Sequence, residues 1–348
     1  MNFWRVCGVF LTADCRLAIT LALIFGLAVG CSPAPEYQRL SGATMGTYYS
    51  ITCRCDSAPD LQARIEEELQ VVNSQMSTYD PDSALSRFND AQSGDWTSVP
   101  AALAEVVETA RQLSELSDGA FDVTVGPLVN AWGFGPGAQD QAELPNDQAI
   151  DSLLKRIGYR QLESRAQPPA LRKHTDLYVD LSAIAKGHGV DRVAGLLEAS
   201  GCADYLVDIG GEVRVRGVNA RGVAWTIGVE VPDPGSQGEV QRVLRLTDQS
   251  VATSGDYRNF RTVAGAHFSH TIDPRTGRPV DHALASVTVV HKSAMWADGL
   301  ATAINVLGPE QGQRLAQSMG LPVLMIIRST DGFEERYTAE MKQILVNP

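Results

Sequence analysis

Five segments with the composition of β-strands lie in the second half of the sequence. They span residues 205–209, 212–216, 224–231, 239–247 and 286–291. Strands that arrive in series, with helices before and after them, are typical of α+β folds with largely antiparallel sheets. A doubly wound parallel sheet would instead alternate strands with helices. The sequence therefore predicts an α+β fold with mixed, largely antiparallel sheets flanked by helices.

Apolar residues at helical spacing predict the helices around these strands. They are expected at 61–77, from Ser98 as N-cap with Pro100 close behind, at 186–200 with Gly201 ending the helix, at 293–307, and at 309–319. Segments 47–53 and 177–181 have the pattern of further strands. The segment 135–147 is expected to be a long polar loop.

The N-terminus has the pattern of a bacterial lipoprotein signal. Arg5 and Arg16 precede an uncharged run, 17–30, that ends in small residues before Cys31. This run is short for a spanning helix. We expect a signal peptide at 1–30, a lipidated tether at 31–40 and a catalytic domain at 41–348. The alternatives are a buried cysteine after an ordinary signal and an uncleaved anchor.

This pattern also predicts where the protein resides. Lipidation at Cys31 would hold the mature chain on the periplasmic face of a bacterial membrane, with the inner membrane preferred. Ser32 after the cysteine carries no clear retention signal, so the choice of membrane stays open.

Charge and cysteine content exclude two classes of function. The formal net charge is −12, and removal of the signal (two arginines, one aspartate) makes it −13, so nucleic-acid binding is not expected. Three cysteines, Cys53, Cys55 and Cys202, follow the predicted lipidation site at Cys31. Cys53 and Cys55 are too close to bridge each other comfortably, and either could pair with Cys202. The absence of CxxC and of a ligand-spaced Cys/His cluster argues against zinc.

The segment SAMWADGLATAINVLG, 293–308, contains the first candidate for chemistry. Asp298 and Thr302 are four residues apart and therefore share one face of the predicted helix. A carboxylate beside a hydroxyl offers the oxygen ligands that Mg²⁺ prefers. The simpler interpretation is an acid near a helix N-terminus and a threonine in the core, and this pair alone does not exclude it.

Two further segments contain candidate residues. In DLSAIAKGHGVDR, 180–192, Asp180 is expected to end a strand, and Lys186 opens a helix, where backbone N–H groups and a cation could bind phosphate. In SHTIDPRTGRPV, 269–280, His270 precedes a turn and could act as a base near neutral pH. A solvated lysine and a structural histidine are the alternatives. Walker-type and dinucleotide glycine motifs are absent from the sequence.

Taken together and in order, these segments resemble the ApbE family of FAD:protein FMN transferases. The resemblance extends from Gly42 to about Leu307. It is carried by GATMGTYYSI, MSTYDPDSALSRFN, DGAFDVTVGPLVNAWGF, DLSAIAKGHGVDR, VDIGGEVRVRG, ATSGDYRNF, SHTIDPRTGRPV and ADGLATA. It implies an ApbE-like fold and the transfer of FMN from FAD, with Mg²⁺, to a threonine hydroxyl of a target protein, releasing AMP.

The resemblance also implies roles for individual residues. The positions that match the family's FAD contacts are Met45, Tyr79, Ala120, Phe121, Asp122, Asp180, Lys186 and Thr271. The metal ligands would be Asp298, Thr302 and the backbone carbonyl of Ala183, and His270 matches a histidine proposed as the base. Ser182 and Ala183 stand where glycine is frequent in the family, a departure that bears on the fit around the pyrophosphate.

The sequence SGAT, 41–44, resembles the end of the family's acceptor motif, DxxSGA[ST], but the acid is replaced by Gln38. Thr44 is therefore expected to be scaffold and not an acceptor. The resemblance implies target flavoprotein subunits of sodium-pumping NADH:quinone oxidoreductase (Nqr) or Rnf type as partners. Two other functions remain open: an FAD pyrophosphatase that yields FMN and AMP, and a non-enzymatic FAD-binding lipoprotein.

Overall fold

An eight-stranded antiparallel sheet with helices against it organises the chain in a computed structural model. The structure describes residues 36–55, 58–136, 143–233, 235–236, 238–256, 260–263 and 266–346. The strands are β1 (Gln38–Thr44), β2 (Thr47–Cys55), β3 (Thr97–Ser98), β4 (Leu162–Ala166), β5 (Pro169–Lys173), β6 (Cys202–Ile209), β7 (Glu212–Arg216), β8 (Trp225–Glu230), β9 (Val240–Leu246), β10 (Gln249–Gly255), β11 (Phe260–Val263), β12 (Ala266–Ser269), β13 (Ile272–Asp273), β14 (Arg278–Pro279), β15 (Leu284–His291), β16 (Val323–Ser329) and β17 (Gly332–Tyr337).

Helices alternate with these strands in the described part of the chain. They are α1 (Leu61–Met76), α2 (Ala84–Asp90), α3 (Ala101–Leu116), α4 (Gly126–Ala131), α5 (Asp147–Leu154), α6 (Ala185–Ala199), α7 (Ala294–Ser318) and α8 (Ala339–Lys342). None of the described helices is long and apolar enough to cross a membrane.

The main sheet has the strand order β1-β2-β6-β7-β10-β15-β16-β17, and every neighbouring pair is antiparallel. The predicted α+β class with largely antiparallel sheets is confirmed. Smaller sheets flank it, with the orders β3-β5-β4, β8-β9, β11-β12 and β13-β14.

Both faces of the main sheet are covered around β15. On one face, Val287 and Val289 of β15 share a core cluster with residues of α3 and α7. On the other face, Val290 of β15 belongs to a cluster that includes Trp225 and Leu244 of the β8–β9 hairpin. Because side chains alternate along a strand, coverage of both faces explains why β15 is buried from Leu284 to Val290.

All the helices and strands of the described residues lie in a compact unit, Tyr37–Pro348. The other unit, Met1–Glu36, contains the predicted signal peptide and Cys31, and its residues before Glu36 lie outside the described residues. Strand β1 begins at Gln38, so the compact unit includes the last residues of the segment expected to be a tether. The boundaries at residues 30 and 40 stay predictions.

Two predicted helices, α1 and α6, end where the sequence predicts. Helix α1 is followed by Ser77 as C-cap, and Gly201 follows α6 in the left-handed conformation, with φ of 76°. The helices predicted at 293–307 and 309–319 form one element, α7, with Ser293 as N-cap. Gly308, with φ of 74°, interrupts the helix just before Pro309. The boundary predicted between two helices is therefore a kink within one element.

The strand predicted at 177–181 is wrong, and Asp180 therefore does not end a strand. Side chains and a loop occupy the backbone groups that a sheet would use. Asn89 donates to the carbonyl of Val179 and accepts from its N–H, while the N–H of Asp180 donates to the carbonyl of Val123. The segment is satisfied without a neighbouring strand.

The helix start predicted at Ser98 is also wrong. Thr97 and Ser98 pair with Leu171 and Ala170 of β5, so Ser98 belongs to a strand. The helix begins at Ala101, and Pro100 occupies the N-cap position.

Of the two disulfides considered, the structure contains Cys55–Cys202, which joins β2 to β6. Cys53 faces the same core and stays a buried free thiol.

Helices α6 and α7 approach closely at Gly187. A Cβ atom placed there would lie 2.3 Å from the carbonyl oxygen of Ala294 and 2.8 Å from Cβ of Asp298. A side chain at this position would force two helices apart, because backbone atoms cannot rotate away.

We expect Gly187→Ala to lower the free energy of unfolding by about 1–3 kcal/mol through overpacking. Gly195→Ala on the same helix is the matched control, since nothing lies within 4 Å of its Cβ position. It should stabilise the protein by roughly 0.5–1 kcal/mol through helix propensity. Urea denaturation of both variants measures the difference, and equal effects at the two sites would contradict the close approach.

His188 should make the fold sensitive to acid. Burial lowers its pKa from 6.5 to about 4, with nearby Arg192 acting in the same direction and Asp191 and Glu68 opposing. Between pH 6.5 and 4, His188 is therefore protonated in the unfolded chain but stays neutral in the folded chain. This costs up to about 3 kcal/mol of stability as the pH falls to 4. The stability difference between wild type and His188→Leu, from urea denaturation at pH 7 and 4.5, should shift in favour of the variant on acidification. A difference independent of pH would contradict the assignment.

Candidate active site

One cavity of about 1140 Å³ collects the residues that the sequence selected. All twelve selected residues that the structure describes border it: Met45, Tyr79, Ala120, Phe121, Asp122, Asp180, Ala183, Lys186, His270, Thr271, Asp298 and Thr302. They come from loops and helices that are far apart in the sequence. Cys31, the predicted lipidation site, lies outside the described residues.

The β1–β2 hairpin contributes a constrained turn to the cavity wall. Met45 and Gly46, its two turn residues, both have positive φ, at 50° and 71°. Turns of this kind need φ > 0 at both positions, which is uncommon for a non-glycine residue such as Met45. Thr44, just before the turn, is buried, and its hydroxyl accepts a hydrogen bond from Asn73 at 3.1 Å. Its position agrees with the scaffold role expected for it.

Helix α7 presents Asp298 and Thr302 to the cavity on one face, as the four-residue spacing predicts. The N–H of Gly187 donates to Oδ2 of Asp298 at 2.9 Å. This bond draws the first turn of α6 onto α7. Asp298 is buried, and burial raises the pKa of its carboxyl group, although Lys186 and the Gly187 N–H oppose the shift.

Lys186 forms an ion pair with Glu212, whose Oε1 accepts from Nζ at 2.5 Å. Burial raises the pKa of Glu212 to about 7, and Asp298 acts in the same direction while Lys186 opposes it. Burial alone would lower the pKa of Lys186, but Asp298 and Glu212 together raise it above its ordinary value. The cavity therefore contains a charged lysine between two buried acids.

Asp180 and Asp122 organise loops at the edge of the cavity. Oδ1 of Asp180 accepts from the N–H and the hydroxyl of Ser182. The serine that stands where glycine is frequent in the family thus adds a bond to Asp180. Oδ1 of Asp122 accepts from the N–H and hydroxyl of Thr124, and Oδ2 accepts from the N–H of Tyr159. Both carboxylate oxygens of Asp122 therefore accept hydrogen bonds from the protein itself.

Rings border the cavity where a flat ligand could pack. The ring of His270 lies edge-on to Phe134, with centroids 6.3 Å apart. Tyr79 is 69 % exposed, so much of its ring surface is available for contact. Thr271 is buried beside His270, and its N–H donates to Ser269 Oγ.

Sequence reasoning did not select Glu212 as a site residue, and it predicted the strand β8 without placing it at the cavity. Glu212 follows the glycine pair 210–211 within VDIGGEVRVRG, and an acid at this position was the available signal. Residues 226–230 of β8 also border the cavity. No local pattern marks them, because their position depends on how the β8–β9 hairpin folds over the main sheet.

Comparisons with known proteins agree on one family. The model of the ApbE family matches residues 45–325. The FAD:protein FMN transferase of Vibrio cholerae is 44 % identical over 331 residues, covering 94 % of this chain and 98 % of that protein. The protein of the same name from Salmonella typhimurium is 39 % identical, covering 96 % and 98 %.

Solved structures give the same result. The flavin transferase ApbE from Vibrio cholerae superposes with a TM-score of 0.81 at 44 % identity, covering 89 % of this chain and 99 % of that one. The ApbE protein from Thermotoga maritima gives a TM-score of 0.81 at 27 % identity, covering 90 % and 100 %. The chain belongs to the ApbE family.

Proposed function

We propose that this protein is an FAD:protein FMN transferase, which moves the FMN part of FAD onto a threonine hydroxyl of a target protein and releases AMP. The observation that carries the proposal is the convergence of Asp298, Thr302, Lys186 and His270 on one cavity. The names of the relatives support the same activity.

The oxygens around Asp298 fit Mg²⁺. Only Oδ2 of Asp298 accepts a hydrogen bond from the described residues. Because the N–H of Gly187 is used there, the backbone carbonyl of Ala183 receives no backbone hydrogen bond in the described part of the chain. With the hydroxyl of Thr302, this leaves three hard oxygen ligands, and a hydrated Mg²⁺ accepts such a partial set. When bound, the ion neutralises charge that develops on the pyrophosphate.

The chain's own groups would divide the remaining work. The threonine oxygen of the target attacks the phosphorus of the FMN half, and the bond from that phosphorus to the bridging oxygen breaks. AMP leaves with that oxygen. Lys186 would stabilise the negative charge on the phosphate oxygens, since phosphoryl transfer depends on positioning and charge neutralisation. His270 would accept the threonine proton, a contribution of roughly 10²–10⁴-fold.

The proposed setting follows from the N-terminal pattern. Lipidation at Cys31 after removal of residues 1–30 would tether the domain to the periplasmic face of a membrane, preferably the inner one. Its partners would then be flavoprotein subunits of Nqr or Rnf type that carry DxxSGA[ST]. The order of signal, cysteine and tether in the sequence supports this proposal.

The activity is tested with a peptide that carries DxxSGAT, incubated with the mature protein, FAD and Mg²⁺. We expect mass spectrometry to find FMN on the threonine, and a peptide with alanine at that position to stay unmodified. An unmodified threonine peptide with FMN and AMP in solution would identify a pyrophosphatase. FAD returned intact would identify a binding lipoprotein.

The metal site is tested with Asp298→Asn, which preserves the shape of the side chain and the acceptor for Gly187. The variant should lose FMN transfer and the rise in melting temperature that Mg²⁺ causes in the wild type by binding the folded state. Without Mg²⁺ it should melt no lower than the wild type, because it removes a buried charge. A Mg²⁺-dependent rise equal to that of the wild type would exclude Asp298 as a ligand.

A further inference from the structure

Glu212 is an unusual residue for an anion-binding cavity. It is 4 % exposed, and it follows the tight turn of Gly210 and Gly211 at the start of β7. Its Oε1 binds Lys186, while Oε2 is buried with no hydrogen-bond partner in the described part of the chain. A buried carboxylate oxygen without a donor is destabilising, so Glu212 lowers the free energy of unfolding at this position.

Binding of FAD does not explain this cost. Glu212 borders the same cavity as Lys186 and Asp298, where the proposed substrate brings its pyrophosphate. A carboxylate there repels an anionic ligand, and the repulsion is strong where water is excluded. Glu212 should therefore weaken the ground-state binding of FAD.

Lys186 gives Glu212 a different role. Its stem has four rotatable bonds, and holding such a chain in one geometry costs conformational entropy. Among the described residues, Glu212 is the sole side chain within ion-pair distance of Nζ. One of the three Nζ protons points to Oε1, and the others remain available to phosphate oxygens.

We infer that Glu212 is a positioning residue, which fixes the ammonium group of Lys186 where the phosphorus is attacked. Its negative charge weakens FAD binding at the same time. The inference rests on the proposed transferase activity and deepens it. Catalysis gains when an interaction is stronger in the transition state than in the ground state, and a fixed cation serves this purpose.

The test is Glu212→Gln, which keeps the size of the side chain and an acceptor for Lys186 but removes the charge. We expect turnover to fall on the order of 10²-fold, the cost of a slightly misplaced group. The dissociation constant of FAD, from flavin fluorescence, should be equal to or lower than that of the wild type. A merely structural role would also slow turnover, but it would weaken FAD binding.

Glu335→Gln is the matched control. Glu335 of β17 is also a largely buried glutamate in an ion pair, with Arg242 at 2.8 Å, and it does not border the cavity. Its variant should change neither FAD affinity nor turnover.

A double-mutant cycle with Lys186→Met shows whether Glu212 acts through the lysine. In that background, Glu212→Gln should change turnover by no more than about twofold, the scatter of non-interacting changes. The double variant should also melt higher than Lys186→Met alone, because it no longer buries an unpaired carboxylate.

The possible failures are distinguishable. Unchanged turnover in Glu212→Gln, or a full effect in the Lys186→Met background, overturns the inference while wild-type transfer upholds the proposed function. Absence of FMN transfer by the wild type overturns both.

Discussion

The candidate site depends on the contact between α6 and α7. Gly187 lets the two helices approach until a backbone N–H of one reaches the carboxylate of Asp298 on the other. Asp191, one turn further along α6, secures the same pair: its carboxylate accepts from the N–H groups of Ala294 and Met295 at the start of α7. An acid at a helix N-terminus is stabilising in itself, and here it also sets the register of the two helices.

The third member of this arrangement is β7. Arg214 donates to Asp191 at 2.7 Å, and Glu212, two residues earlier on the strand, pairs with Lys186. The same strand therefore supports the helix crossing through one side chain and the cavity lysine through another. Two buried acids beside one lysine leave an excess of negative charge, which favours a cation at that point before any anionic substrate arrives. Asp298 belongs to both arrangements, because it accepts from Gly187 at the helix crossing and also borders the cavity.

Local sequence patterns predicted most of the helices and strands, but not the tertiary contacts that some segments make. The periodicity of 61–76 and the Gly201 signal gave α1 and α6 correctly because local residues decide where those helices end. The segment 177–181 has the composition of a strand, yet the side chain of Asn89, distant in sequence, binds the backbone of Val179. The selected cavity residues were found through motifs, whereas Glu212 acquires its meaning only when folding brings Lys186 to it.

Transfer to a protein and hydrolysis would use the same proposed metal ligands and the same lysine, so these groups do not separate the two reactions. What separates them is which hydroxyl reaches the phosphorus first. The cavity wall also includes the β1–β2 turn at Met45 and residues 226–230 of β8, none of which is among the proposed metal ligands. Under the proposed function, the shape of these walls would decide whether a threonine hydroxyl of the target or water reaches the phosphorus, while Asp298 and Lys186 would act on the phosphate in either case.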